Sequence, residues 1–152
     1  MPRNILETLS RALADSVDKA TDDEKRALCL PAAQLAISHT NLDDPTVFRA
    51  IHILKTTGFT DKSVTAALQK LVEEFELRYF DAEERYRAGK GDKSTYIALA
   101  RKARAADAVL CAFDDDTFQA ATCSLYEAYS AGAEVDELET MVRGTLNQMR
   151  LN

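Results

Sequence analysis

The sequence predicts an all-α protein, built as a single-domain bundle or a short array of about seven helices. Apolar residues recur at helical spacing along almost the whole chain, and no stretch alternates as a half-buried strand would. The breaks between these stretches are short and carry helix start and stop signals. With 152 residues the chain is long enough for one domain with a real core. We therefore predict one all-helical domain over residues 1–152.

The first helices are marked by their capping residues. An apolar stripe over 6–17 is followed by Thr21 and Glu24, which match the T-x-x-E capping box of a helix start. Further on, Asp44 stands at an N-cap position and Pro45 at the first helical position, where the missing N–H of proline costs nothing. These signals predict helices that begin after Thr21 and at Pro45.

The central part of the chain contains the two longest stripes. Gly58 ends one helix, and the next is predicted to begin near Thr60 or Asp61. Its apolar residues continue over 64–86, and a second long stripe covers 96–113. A glycine-containing loop separates the two stripes, so they predict two long, adjacent helices.

Three consecutive aspartates, Asp114, Asp115 and Asp116, precede the stripe over 118–128. Acids at a helix start accept hydrogen bonds from free N–H groups and face the positive end of the helix dipole. Helix capping is therefore the first interpretation of this run. A metal site is not predicted, because the run lacks the D-x-D-x-D-G loop. Gly132 is predicted to end this helix, and the last stripe covers 135–149.

The charge is distributed unevenly along the chain. Residues 105–142 contain nine acidic residues and no Lys or Arg, while the rest of the chain has 16 acids, all 19 basic residues and a net charge of +3. Residues 85–104 hold seven basic residues and one acid. One interpretation is that the basic stretch packs near the acidic one within the molecule. The other is that the acidic block attracts a basic partner.

The function predicted from this pattern is a non-enzymatic protein-binding module whose acidic C-terminal face engages a basic protein partner. The candidate partner-binding residues are its acids, with two tyrosines one turn apart as aromatic anchors: Asp114, Asp115, Asp116, Tyr126, Tyr129, Glu134, Asp136, Glu137 and Glu139. A small-residue seam over 103–106 permits close helix approach, within the chain or in a homodimer.

No catalytic residue, cofactor or metal is expected from the motifs. The chain has no Gly-rich phosphate loop, no H-E-x-x-H and no C-x-x-C. His39 and His52 lie among apolar residues and are interpreted as structural. The three cysteines are interpreted as buried, reduced thiols. With no apolar run of membrane-spanning length and no signal peptide pattern, a cytoplasmic protein without membrane contact is predicted.

Residues 48–72 provide an alternative function. A helix, a turn with Gly58 and a helix with Val64 six residues later resemble the helix-turn-helix of bacterial regulators. The resemblance implies a DNA-binding transcriptional regulator, with the following residues facing the DNA groove: Thr60, Asp61, Lys62, Ser63 and Thr65. Otherwise nucleic acid is not an expected partner, because an acidic block repels it.

A second resemblance covers roughly residues 24–131. The segments "DDPTVFRAIHILKTTG" and "FQAATCSLYEAYSAG", with the arginine-bearing alanine-rich stretch between them, resemble the small all-helical immunity proteins of bacterial polymorphic toxin systems. The features in common are a D-P helix start, a glycine at the helix end and alanine-rich helices. The resemblance implies a cytoplasmic protein that binds and neutralises a toxin domain without catalysis, and it assigns no binding residue.

Overall fold

A computed structural model describes residues 4–151, and it confirms the all-α class. Within these residues there are seven α-helices, one short 3₁₀ helix at Ile5–Thr8 and no strand. None of these helices is long and apolar enough to cross a membrane. The helices are α1 (Arg11–Lys19), α2 (Asp22–Thr40), α3 (Pro45–Thr56), α4 (Thr65–Arg87), α5 (Lys93–Cys111), α6 (Thr117–Ser130) and α7 (Val135–Leu151).

Two of the predicted helix starts have the expected caps. At α2 the Thr21 hydroxyl accepts from the Glu24 N–H at 3.2 Å, and the Glu24 carboxylate accepts from the Thr21 N–H at 2.9 Å. At α3 the Asp44 carboxylate accepts from the Thr46 N–H at 2.8 Å, with Pro45 as the first helical residue. Each cap satisfies N–H groups that have no partner inside the helix.

The start of α4 differs from the prediction. Gly58 does follow the end of α3, with a φ of 94° that favours glycine. However, α4 begins at Thr65 and not near Thr60 or Asp61. The physical reason is a local turn, in which the Asp61 carboxylate accepts from the Ser63 N–H at 3.0 Å and so competes with helix formation.

All seven helices contribute buried side chains to one hydrophobic core, and the direction of its helices follows from contacts at their ends. Arg26, near the start of α2, reaches the backbone of Ala112 just before α6, whereas His39 at the end of α2 meets Glu137 just after α6. Helices α2 and α6 therefore run parallel. Arg150 at the end of α7 pairs with Glu24 at the start of α2 at 2.8 Å, so α7 runs antiparallel to both.

Small residues allow the central helices to approach closely. Ala103 and Ala106 on α5 and Ala120 and Ala121 on α6 are almost completely buried. Larger side chains, such as Leu125, fill the rest of the core. The predicted seam over 103–106 is thus used for packing inside the chain.

Candidate functional site

The predicted acidic face is divided between the two ends of α6. Asp114, Asp115 and Asp116, here called the aspartate turn, lie directly before the helix. Glu134, Asp136, Glu137 and Glu139 lie after the helix, at the start of α7, and are called the α7 acidic cluster. Because α6 has 14 residues, about 21 Å separates the two groups. A globular protein partner could contact both groups at once. The two groups differ, however, in the contacts that their carboxylates make within the molecule.

The aspartate turn is largely used for capping, as predicted. The Asp116 carboxylate accepts from the Gln119 N–H at 3.0 Å and is the N-cap of α6. The Asp114 carboxylate accepts from the Asp116 N–H at 2.9 Å. Only Asp115 points away, with 83% of its side chain exposed, and it pairs with Lys62 at 2.9 Å.

Two cations from distant parts of the chain converge on this turn. Arg26 donates to the carbonyl groups of Ala112 at 3.1 Å and Asp115 at 3.3 Å, and its guanidinium lies over the Phe59 ring. Lys62 also donates to the Phe113 carbonyl. These two cations therefore offset part of the negative charge of the aspartate turn within the molecule.

The α7 acidic cluster contains two carboxylates with structural contacts and two without. Glu137 accepts from the Glu134 N–H at 2.9 Å and pairs with His39 at 2.9 Å. These two contacts, the backbone N–H first and His39 second, lower the pKa of Glu137. Glu139 accepts from the Ser10 hydroxyl at 2.7 Å. The carboxylates of Glu134 and Asp136 are exposed and take part in no hydrogen bond or ion pair within the described residues.

The two predicted aromatic anchors differ in exposure. Tyr126 is partly buried and packs against the core. Tyr129, one turn further along α6, is 42% exposed, and the two ring centroids are 6.5 Å apart. Tyr129 lies at the end of α6, a short turn before the α7 acidic cluster. The structure thus places one exposed aromatic ring at the same end of the molecule as the free carboxylates.

The two histidines, both interpreted from the sequence as structural, lie in different surroundings. His39 lies at the end of α2 and pairs with Glu137, which caps α7. His52 lines a surface cleft of about 360 Å³ between α2 and α3. Its other lining residues are two polar and three apolar ones, and none carries a carboxylate: Gln34, Ile37, Phe48, Ile51 and Lys55.

A group of charged residues that the sequence did not single out lies between α4, α5 and α6. Arg104 pairs with Glu127 at 2.9 Å, with Glu76 at 3.2 Å and with Asp107 at 3.6 Å. Burial raises the pKa of Glu127 to about 7 and also raises that of Asp107. In the sequence, only the three-residue spacing of Arg104 and Asp107 indicated an ion pair here. Glu76 and Glu127 come close to Arg104 only when the helices pack. Through Arg104, the end of the basic stretch contacts Asp107 and Glu127 of the acidic block.

Two of the three cysteines lie beside this cluster, and these two depart from the prediction. Cys111 and Cys123 form a disulfide, because antiparallel packing of α5 and α6 brings their Cα atoms to 5.8 Å. Cys29 is free and buried as predicted, and burial raises the pKa of its thiol to about 11. The ligand atoms of Asp107, Cys111 and Cys123 all lie within 4.8 Å of one another.

Comparison with protein-family models, with curated proteins and with solved structures gives no match to this chain. Functional assignment therefore rests on the site itself.

Proposed function

We propose that this protein is a non-enzymatic protein-binding module that engages a basic protein partner through its α7 acidic cluster. The observation that carries the proposal is the state of Glu134 and Asp136. Both carboxylates are exposed and have no partner within the described residues, so their charge is available to another molecule.

The aspartate turn has a smaller part in the proposed interface. Its carboxylates cap α6 or pair with Lys62, and Arg26 lies against its backbone. A basic partner would have to replace these contacts, whereas it meets Glu134 and Asp136 without such competition. Charges of this kind act mainly on the rate of encounter and on the choice of partner.

Tyr129 would provide the apolar contact of the interface. Interface energy is concentrated in a few residues, and tyrosine is among the enriched types. Tyr126 would support the ring of Tyr129 from the core side, at a centroid distance of 6.5 Å.

The resemblance to immunity proteins suggests what the partner is. A cationic toxin domain, whose own target is a nucleic acid, would present the basic surface that the α7 acidic cluster needs. In this form of the proposal the protein acts in the cytoplasm by occupying the toxin, with no catalytic step of its own.

DNA binding through residues 48–72 has less support. Lys62 is the one cation among the residues assigned to the groove, and it already pairs with Asp115 at 2.9 Å. Phosphate contacts supply most of the affinity of a protein for DNA. A duplex that contacted Lys62 would also meet the negatively charged aspartate turn, which repels phosphate. A salt-dependent shift of duplex DNA that Lys62→Glu removes would reverse this preference.

The experiment is an affinity pull-down from lysate of the host organism, with mass spectrometry of the retained proteins. We expect one stoichiometric basic protein, lost with Glu134→Lys/Asp136→Lys and reduced with Tyr129→Ala. The matched control is Glu74→Lys/Glu84→Lys, which changes the net charge equally on exposed acids of α4. Retention of the same partner by the first double variant would contradict the proposal.

A further inference from the structure

Four side chains with metal-ligating atoms face one another across α5 and α6. Asp107 and Cys111 are four residues apart on α5, and Cys123 and Glu127 are four residues apart on α6. Residues at this spacing lie one above the other on the same face of a helix. Each helix therefore presents one carboxylate and one cysteine, a turn apart.

Antiparallel packing brings like residues together. Cys111 meets Cys123, with Cα atoms 5.8 Å apart. The Asp107 and Glu127 carboxylates lie against the same nitrogen of the Arg104 guanidinium, at 3.6 Å and 2.9 Å. The ligand atoms of Asp107, Cys111 and Cys123 lie within 4.8 Å of one another. All four side chains are partly buried, so the group is shielded but reachable from solvent.

We propose that Asp107, Cys111, Cys123 and Glu127 form a binding site for one Zn²⁺ ion when both cysteines are reduced. Two thiolates and two carboxylates are a four-ligand set that suits the tetrahedral coordination of zinc. This proposal is independent of the protein-binding function, and it revises the expectation of no metal.

Arg104 supports the site from outside. It donates to Glu127 at 2.9 Å and lies 3.6 Å from Asp107, so it can orient both carboxylates. Two thiolates and two carboxylates carry four negative charges. One Zn²⁺ ion and Arg104 offset three of them, which reduces the repulsion that four anions would otherwise have.

The disulfide makes this site dependent on redox state. Oxidation by a peroxide forms the Cys111–Cys123 bond and breaks the O–O bond. Two thiolates give up two electrons, and hydrogen peroxide takes these with two protons to become two waters. The ion then loses two of its four ligands and is released. Metal ligation needs the thiolate form, so bound zinc marks the reduced state.

The first test is titration of the full-length, tag-free chain with Co²⁺ after reduction by a phosphine and removal of oxygen. We expect one Co²⁺ per chain with thiolate-to-cobalt charge-transfer absorption, displaced by Zn²⁺. Asp107→Asn and Glu127→Gln should each weaken binding at least about 10-fold. Cys29→Ser and Glu84→Gln are matched controls that should bind like the unchanged chain.

The two carboxylate variants decide the outcome, because they keep both cysteines and hence the option of the disulfide. Circular dichroism of each variant verifies that it is folded. No stoichiometric cobalt, cobalt without thiolate absorption, or full affinity in either carboxylate variant would overturn the four-ligand site.

The second test adds one equivalent of hydrogen peroxide to the zinc-loaded chain in the presence of a chromogenic chelator. We expect release of one Zn²⁺ per chain together with formation of the Cys111–Cys123 bond, mapped by mass spectrometry. Zinc that stays bound after this bond has formed would overturn the redox dependence.

Discussion

Glu127 holds a carboxyl group in a partly buried position against Arg104 and Asp107. Burial raises its pKa from 4.5 to about 7 in the folded protein, more than the attraction of Arg104 lowers it. Between these two values the folded chain keeps a proton that the unfolded chain has lost. The free energy of unfolding therefore falls as the pH rises from 4.5 to 7.

Glu127→Gln should remove this pH dependence. At pH 8 we expect the variant to unfold at a higher temperature than the unchanged chain, by about 2–4 °C for a gain on the order of 1 kcal/mol. The difference should shrink towards pH 5, where Glu127 is protonated in the folded state. Thermal melts followed by circular dichroism at pH 5, 6, 7 and 8 check this. If the melting temperatures of the two proteins change with pH in parallel, Glu127 is ionised over the whole pH range and the prediction is wrong.

The aspartate turn offers a comparison of neighbouring residues with different tasks. Asp116→Ala removes the N-cap of α6 and should lower the free energy of unfolding by about 1 kcal/mol. Asp115→Ala removes an exposed ion pair with Lys62 and should cost less than about 0.5 kcal/mol. Urea unfolding of both variants tests the assignment. A larger loss for Asp115→Ala would mean that the Lys62 pair, and not the cap, holds the turn.

At the scale of elements, helix ends were predictable where a side chain caps the backbone locally. Thr21, Asp44 and Asp116 lie at such positions, and their partners are within three residues in the sequence. The predicted start of α4 was wrong because its N-cap residue, Val64, makes no side-chain capping bond. Asp61 satisfies a turn before the helix, and no sequence rule separates that turn from a helix start.

Two glycines predict opposite effects of the same substitution. Gly58 ends α3 with a φ of 94° and has open space around it, so Gly58→Ala should cost about 1–2 kcal/mol through backbone conformation alone. Gly144 lies inside α7, also with open space, so Gly144→Ala should stabilise by about 0.5–1 kcal/mol. Chemical denaturation of both variants checks the pair. A change of the same sign in the free energy of unfolding of both variants would contradict these backbone assignments.

At the scale of the molecule, the charge asymmetry was visible in the sequence but its arrangement was not. Periodicity places apolar residues toward a core, and the all-α class follows from it. It does not tell which distant charges meet. Arg26 and Lys62 reach the aspartate turn, and Arg104 reaches Glu127, only once the helices have packed. The free carboxylates of Glu134 and Asp136 could therefore be distinguished from the other acids only in the structure.

The same packing explains why the cysteine pair escaped the sequence analysis. Cys111 and Cys123 are separated by 12 positions without a short motif. Their encounter depends on the antiparallel register of α5 and α6, which is fixed by buried alanines such as Ala106 and Ala121. The sequence therefore shows two cysteines, but only the packing of α5 against α6 brings them into contact.

In the proposed interaction, negative charge at the start of α7 guides a basic partner to the protein. The most direct measurement is the association rate constant with the retained partner, by stopped-flow mixing at increasing ionic strength. We expect the rate constant to fall at least about 10-fold with salt, and Glu134→Lys/Asp136→Lys to lower it at low salt with little change in dissociation. An association rate that is independent of salt, or equal in this variant, would contradict the claim.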